Sequence, residues 1–293
     1  MLYFYKYFEK QSLLNINLLK EICPLFFMYN LIFLGNKGSD AINYSDGSGG
    51  IIFKVNDFQV HIDPGPGILN KAKEAKVNLG NTSCILVSHN HLTHCNDLNL
   101  LIDLMTFKGM DNRGLLIGDE SVVYGSDKER PYLGKKQERF LEKYMVLKEG
   151  SRAKVGSLRI CGLKVKHFER GIGFKIQTEH FNLVYTGDTK YYKGMKEEYK
   201  DCNLLIANCV KGFDAKSNSN LTADDIVKIV EDVKPQMVII THFGRSMLEQ
   251  NPVMVAREIS KRTGVQVVAA KENMNIDPLS YSSALRQKSL EFY

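Results

Sequence analysis

The chain has 293 residues, enough for one large domain or two small ones around a sizeable buried core. Apolar residues make up 44% and charged ones 25%, ordinary values for a soluble globular protein, and the net charge of +6 is mild, so it permits an anionic partner such as a phosphoester or nucleic acid without requiring one. No apolar run reaches the ~20 residues of a membrane span, and six scattered cysteines without a Cys-x-x-Cys pair exclude a dense disulfide framework and read as reduced thiols.

Residues 1–29 are rich in Phe, Tyr and Leu but are interrupted by Lys6, Glu9, Lys10, Lys20 and Glu21, and Pro24 would end or kink a helix there. They match neither a secretory signal nor a span. They read as an extension to the domain, with a surface-docked amphipathic segment as the rival reading, and the chain is expected in the cytoplasm. From residue 31 strands come first. LIFLG is a short apolar run, and residues 49–63 read as two strands joined at Asn56-Asp57. DPGPG at 63–67 is a rigid turn leading into a helical stretch, ILNKAKEAK. CILVSH (84–89) is a buried-looking strand, NDLNLLIDLMTF (96–107) has helical spacing, and GLLIGD (114–119) returns to strand. Residues 124–150 are polar and charged, the expected surface insertion or lid.

Three strand-like runs follow at 159–168, 173–179 and 181–188, and then alternating units. YYKGMKEEYK is helical and CNLLIANCV a strand. LTADDIVKIVEDVKP is a helix with Thr222 as its N-cap and acids in its first turn. QMVIITH is a strand, VMVAREISKRTG a helix closed by Gly264, and VQVVAA a strand. This order suits two packed sheets with helices outside, in one domain.

Three of the seven histidines fall within six positions, His89, His91 and His94. They end an apolar strand and precede a helix, where sites are commonly built. His89 and His91, two apart on extended chain, point the same way, and His94 approaches from another side. Imidazole nitrogen is a favoured ligand for zinc, iron and nickel. His167, Asp188 and His242 each end a later apolar strand, so all six residues can converge on one sheet edge. A carboxylate between two cations can bridge them, a natural role for Asp188. Asp63 ends a strand near the same edge.

The motifs HIDPGPG at 61–67, SHNHLTH at 88–94, His167, TGDT at 186–189 and THFG at 241–244 resemble those of the metallo-β-lactamase superfamily over about residues 30–275. The last two look most like its cytoplasmic metal-dependent hydrolases, relatives of ribonuclease Z and of ascorbate-phosphate lactonase. The resemblance implies a four-layer αββα sandwich over residues 30–276, with 1–29 as an extension and 277–293 as a tail. It also implies Zn²⁺, one or two ions, with Mn²⁺ or Fe²⁺ as alternatives. His89, His91 and His167 would hold the first ion, His94 and His242 the second, and Asp188 would bridge them and help hold the attacking hydroxide between them. Asp63 would order the loop from behind.

One position departs from the family pattern: Thr93 stands where an Asp usually serves the second ion. Cys95 and Asp97 are the nearby groups able to replace it, but a buried thiol and a helix cap are the favoured readings of those two. His61 reads as a packed or surface residue, and His180 as an exposed turn residue. Glu169, Arg170, Lys190 and Arg245 are charged positions that could meet an anionic substrate or solvent alone. The glycine-rich loop around KGSD at 37–40 lacks phosphate-loop spacing. The expected function is a metal-dependent hydrolase acting with activated water on a phosphodiester, lactone or other ester. The alternative is a degenerate metal-binding protein that holds an anionic ligand or nucleic acid. Ribonuclease Z itself is disfavoured, because LLIANCVKGFD carries no histidine.

Overall fold

The structure, a computed structural model, describes residues 28–41, 48, 50–168 and 171–281. The expected extension through residue 27 and residues 282–293 of the expected tail lie outside it, as do Gly47, Gly49, Glu169 and Arg170. The first sheet sets β1 (Tyr29–Phe33), β2 (Ile51–Val55), β3 (Phe58–Ile62), β4 (Thr82–Val87), β5 (Leu115–Gly118) and β6 (Lys143–Val146) side by side in that order. The second runs β7 (Arg152–Val155), β8 (Leu158–Leu163), β9 (Gly173–Gln177), β10 (Asn182–Tyr185) and β11 (Leu204–Lys211). The two-residue β12 (Leu221–Thr222) is attached to β11, and β13 (Met237–Thr241) and β14 (Gln266–Ala269) complete the sheet. Finally β15 (Met274–Ile276) returns to the first sheet beside β1.

The unbroken apolar runs are strands buried on both faces, and their alternation sends successive side chains into different cores. Leu31 and Phe33 of β1, Cys84 and Leu86 of β4, and Met237 and Ile239 of β13 meet between the sheets. Ile32, Ile85 and Val87 face outward, under the helices Ile68–Glu74 and Leu98–Met105. Val238 and Ile240 face outward under the helices Ala223–Val233 and Pro252–Thr263. The result is the expected αββα sandwich.

Both sheets are parallel where it matters for function. Strands β3 to β6 run parallel, as do β10, β11, β13 and β14. Loops from both sets of carboxyl ends therefore gather on one edge, the usual place for a site in parallel sheets. The helix starts and stops follow the chain's own signals. The Thr222 side chain accepts from the Asp225 backbone N–H while the Asp225 carboxylate accepts from that of Thr222, a capping box. Gly264 closes its helix with φ 71°.

Three expectations change. The second half of residues 124–150 is no insertion: β6 joins the sheet beside β5, with Tyr144, Met145 and Val146 half-buried. The strand expected through His167 stops at Leu163. Beyond it the Lys164 N–H donates to Glu198 Oε2 and the Lys166 N–H to Thr189 Oγ1, partners outside the sheet. His180 is half-buried rather than exposed, with Nδ1 2.9 Å from the Tyr29 hydroxyl.

Candidate metal centre

Four loops bring the candidate residues together. The turn after β4 carries His89, His91 and His94, and the bend after β8 carries His167. The TGDT turn after β10 carries Asp188, and the turn after β13 carries His242. Two donor sets result, His89, His91, His167 and Asp188 in one, and His94, Asp188 and His242 in the other. Within each, one donor atom per residue lies within 4.8 Å of all the others. Asp188 belongs to both. Its Oδ2 lies 3.4 Å from His94 Nε2, 3.8 Å from His167 Nε2 and 3.5 Å from His242 Nε2.

Local backbone makes this convergence feasible. Gly187 has φ 58°, and a Cβ there would stand 3.1 Å from the Ile172 carbonyl oxygen and 3.3 Å from Ser88 Cβ, so the Asp188 turn can lie against the His89 loop. Gly65, in DPGPG, has no room for a side chain. A Cβ would fall 2.0 Å from the Ser48 carbonyl oxygen and 2.2 Å from that of Thr93. His242 sits in the left-handed region at φ 60°. The segment 36–38 holds its turn: Phe243 N–H donates to the Asn36 carbonyl at 2.7 Å and Gly38 N–H to the Phe243 carbonyl at 2.9 Å.

The oxygens behind the rings decide which nitrogens face inward. His167 Nδ1 lies 2.8 Å from the Ser219 carbonyl, which can only accept, so Nδ1 carries the proton and Nε2 the lone pair. Ser88 Oγ gives its proton to Asp63 Oδ2 at 2.8 Å, so it accepts from His89 Nδ1 at 3.0 Å, which again leaves Nε2 bare. These bare nitrogens converge on His91 Nδ1, from His89 at 2.8 Å and from His167 at 3.2 Å. His94 Nδ1 lies 2.8 Å from Asp63 Oδ2, while its buried Nε2 has no hydrogen-bond partner. Lone pairs aimed at a common point, with one buried nitrogen orphaned, are what a cation satisfies and a proton network does not. The residues fit a divalent metal.

Electrostatics point the same way. Burial, then the neighbouring His94, holds the His89 pKa well below the imidazole range. His91, exposed at the mouth, is lowered by partial desolvation and by His167. Burial works against charge on His94, yet Asp188 and Asp63 overcome it and raise its pKa to about 10. Burial would raise Asp188, but His242 and His94 hold it well below the carboxylate range. A cation entering here meets an ionised carboxylate and displaces a proton from His94.

Asp63, the loop-ordering candidate, is fully engaged. Its carboxylate accepts from the Ser88 N–H at 2.6 Å, from Ser88 Oγ and from His94, and from the Tyr185 hydroxyl at 2.6 Å. Thr93 is buried, and its carbonyl accepts from Ser48 Oγ at 3.3 Å. Cys95 and Asp97 stand outside both donor sets. The Cys95 thiol donates to the His91 carbonyl at 3.2 Å, and burial raises its pKa. Asp97 occupies the N-cap position of the helix Leu98–Met105, as expected, but its side chain serves a different helix: Oδ2 accepts from the N–H groups of Gly67 and Ile68, where the helix Ile68–Glu74 begins. Lys190 and Arg245 are exposed.

Two contributors escaped the reading of the sequence. Asn208 donates its side-chain N–H to Asp188 Oδ1 at 2.7 Å, and Tyr185 ties Asp63 to the second sheet. The one available signal for Asn208 was a lone amide inside the apolar run of β11. Beside the first donor set opens a cleft of about 350 Å³ lined by Asn90, Ser126, Lys128, Glu129 and Phe168 as well as His89, His91 and His167.

Residues 59–243 match the Beta-lactamase superfamily domain, a span that contains all six donors. An uncharacterized protein of Methanocaldococcus jannaschii, MJ1374, is 29% identical over 255 residues, covering 85% of this chain and 95% of its own. The metallo-beta-lactamase fold protein YhfI of Bacillus subtilis superposes with a TM-score of 0.72 at 17% identity, over 85% of this chain and 99% of that one. Human tRNase Z, short form, gives 0.62 at 14% identity, over 84% and 98%. At these identities the two structures speak for the fold.

Proposed function

The chain belongs to the beta-lactamase superfamily, and from that premise we propose that it is a zinc-dependent hydrolase of phosphodiesters. The observation that carries this reading is the pair of donor sets sharing the Asp188 carboxylate. Five imidazoles and one carboxylate suit zinc before the harder cations, with Mn²⁺ or Fe²⁺ as substitutes. A bound ion would supply Lewis acidity and a water made acidic enough to attack near neutral pH. Asp188 would serve both donor sets, and Asn208 holds its Oδ1 in place. Asp63 fixes the His94 ring, and the Ser219 carbonyl fixes that of His167. The exposed Lys128 at the cleft's rim offers a cation to a phosphoryl group. The similarity in fold to a protein named as a tRNase favours phosphodiesters over lactones. The cytoplasm is the compartment of this reading, supported by five unpaired cysteines among the described residues.

The first set has four donors and the second three, because neither Cys95 nor Asp97 supplies a further ligand. We expect one tightly held ion per chain after dialysis and a second that returns with added Zn²⁺. Elemental analysis measures both, with turnover of bis-p-nitrophenyl phosphate and of simple lactones followed alongside. His89→Ala should lower phosphodiester kcat/KM by at least about 100-fold. No turnover at any metal loading would overturn the hydrolase and leave a metal-binding protein that holds an anionic ligand or nucleic acid.

A further inference from the structure

Phe168 is oddly placed for an apolar residue. Its side chain is 78% exposed, and its backbone occupies the left-handed region at φ 47°, which L-residues with bulky side chains rarely adopt. Burial of the ring does not offset that conformation. Departures of this kind concentrate where a side chain is held for a ligand. The ring stands at the mouth of the cleft, its centroid 4.7 Å from the His167 ring at 70° and 5.8 Å from the His91 ring at 79°. Two candidate ligands thus steady it from below, and most of its surface stays open to whatever enters. The other lining groups beyond the histidines are polar. Asn90 donates to the Glu129 carboxylate at 2.6 Å, and Ser126 and Lys128 complete the rim. The cleft's volume of about 350 Å³ falls within the range of small-molecule sites.

We propose that Phe168 is a stacking platform for a planar, heteroaromatic part of the substrate, and that the substrate is a nucleotide-type phosphoester whose base lies on Phe168 while its phosphoryl group reaches the donor sets. The inference rests on the phosphodiester reading above. A flat apolar ring recognises the π-face of a base, and the polar rim recognises its edge. An aliphatic ester would use the rim but gain little from the ring.

The chain contains no tryptophan, so Phe168→Trp would place a single reporter at this position. The probes are adenosine monophosphate and ribose 5-phosphate, which share a phosphorylated ribose and differ by the base. Binding to the zinc-loaded protein is followed by calorimetry, and in Phe168→Trp also by emission. The expected result is tighter binding of adenosine monophosphate by roughly 5- to 150-fold, the range of one base–aromatic stack. Phe168→Ala should collapse that preference to about 2-fold or less while ribose 5-phosphate affinity holds. Phe168→Trp should restore it, with emission quenched by adenosine monophosphate alone. Equal binding of the two probes to the natural protein, or a preference untouched in Phe168→Ala, overturns the inference. Turnover of bis-p-nitrophenyl phosphate by the natural protein separates the two failures: activity with no base preference sinks the stacking role alone, and inactivity sinks the hydrolase reading with it.

Discussion

At the scale of single residues, a histidine outside the donor sets is as informative as those within. His61 lies across from Ile52 on β2 and Ile85 on β4, beneath Ile68 and Leu34, with neither ring nitrogen hydrogen-bonded. Burial lowers its pKa from 6.5 to about 3. The folded chain therefore keeps it neutral while the unfolded chain protonates it below about pH 6.5. Its contribution is complete above that pH and is lost as pH falls toward 3, at about 1.4 kcal/mol per pH unit. His61→Leu, similar in volume and suited to these neighbours, should flatten that part of the acid slope. Urea unfolding of both proteins at pH 7 and pH 4.5 checks this, and identical slopes would show that His61 reaches water or a partner. The six donors were legible because His and Asp are conspicuous at the ends of apolar runs. Asn208 and Tyr185 were not, because one hides inside such a run and the other gains its role only from what folding sets opposite it.

At the scale of elements, the site depends on turns that tolerate almost no change. The backbone of DPGPG passes so close to the Ser48 and Thr93 carbonyls that a methyl group at Gly65 would overlap both. Those atoms are backbone, and the Asp97 N–H also donates to the Pro64 carbonyl at 3.0 Å, so the loop cannot shift cheaply. Gly65→Ala should cost about 2–3 kcal/mol. It should also lower zinc occupancy, because Asp63 begins the same turn and orients Ser88 and His94. Urea unfolding with metal analysis tests both, and full occupancy at natural stability would mean the turn has slack. Strands buried on both faces and capped helices were readable in the sequence, since apolar runs and capping boxes are local signals. The edge strands β6 and β7 were not, because KYMV and RAKV carry charges like a surface segment and join the sheets only through β5 and β8.

At the scale of the molecule, each donor set draws on both sheets. His89 and His91 come from the first sheet's loops and His167 and Asp188 from the second's; His94 likewise faces Asp188 and His242 across the interface. The protein's own links at this edge include the hydrogen bond from Tyr185 on β10 to Asp63 after β3, that from the Ile172 N–H to the Ser88 carbonyl at 2.9 Å, and the pair between Phe243 and residues Asn36 and Gly38. A bound ion would thus join the halves of the sandwich as well as serve chemistry. Binding to the folded chain in preference to the unfolded one stabilises it by about 2.7 kcal/mol at a free concentration 100 times Kd. Zinc should therefore raise the urea midpoint of the metal-free protein, and a chelator should reverse the rise. His167→Ala removes a donor of the second sheet from the four-donor set, so the rise should shrink at equal free zinc while the metal-free midpoint moves little. A midpoint indifferent to zinc would mean that the folded chain does not bind the ion in preference to the unfolded one, and the shared role of Asp188 would fall with it.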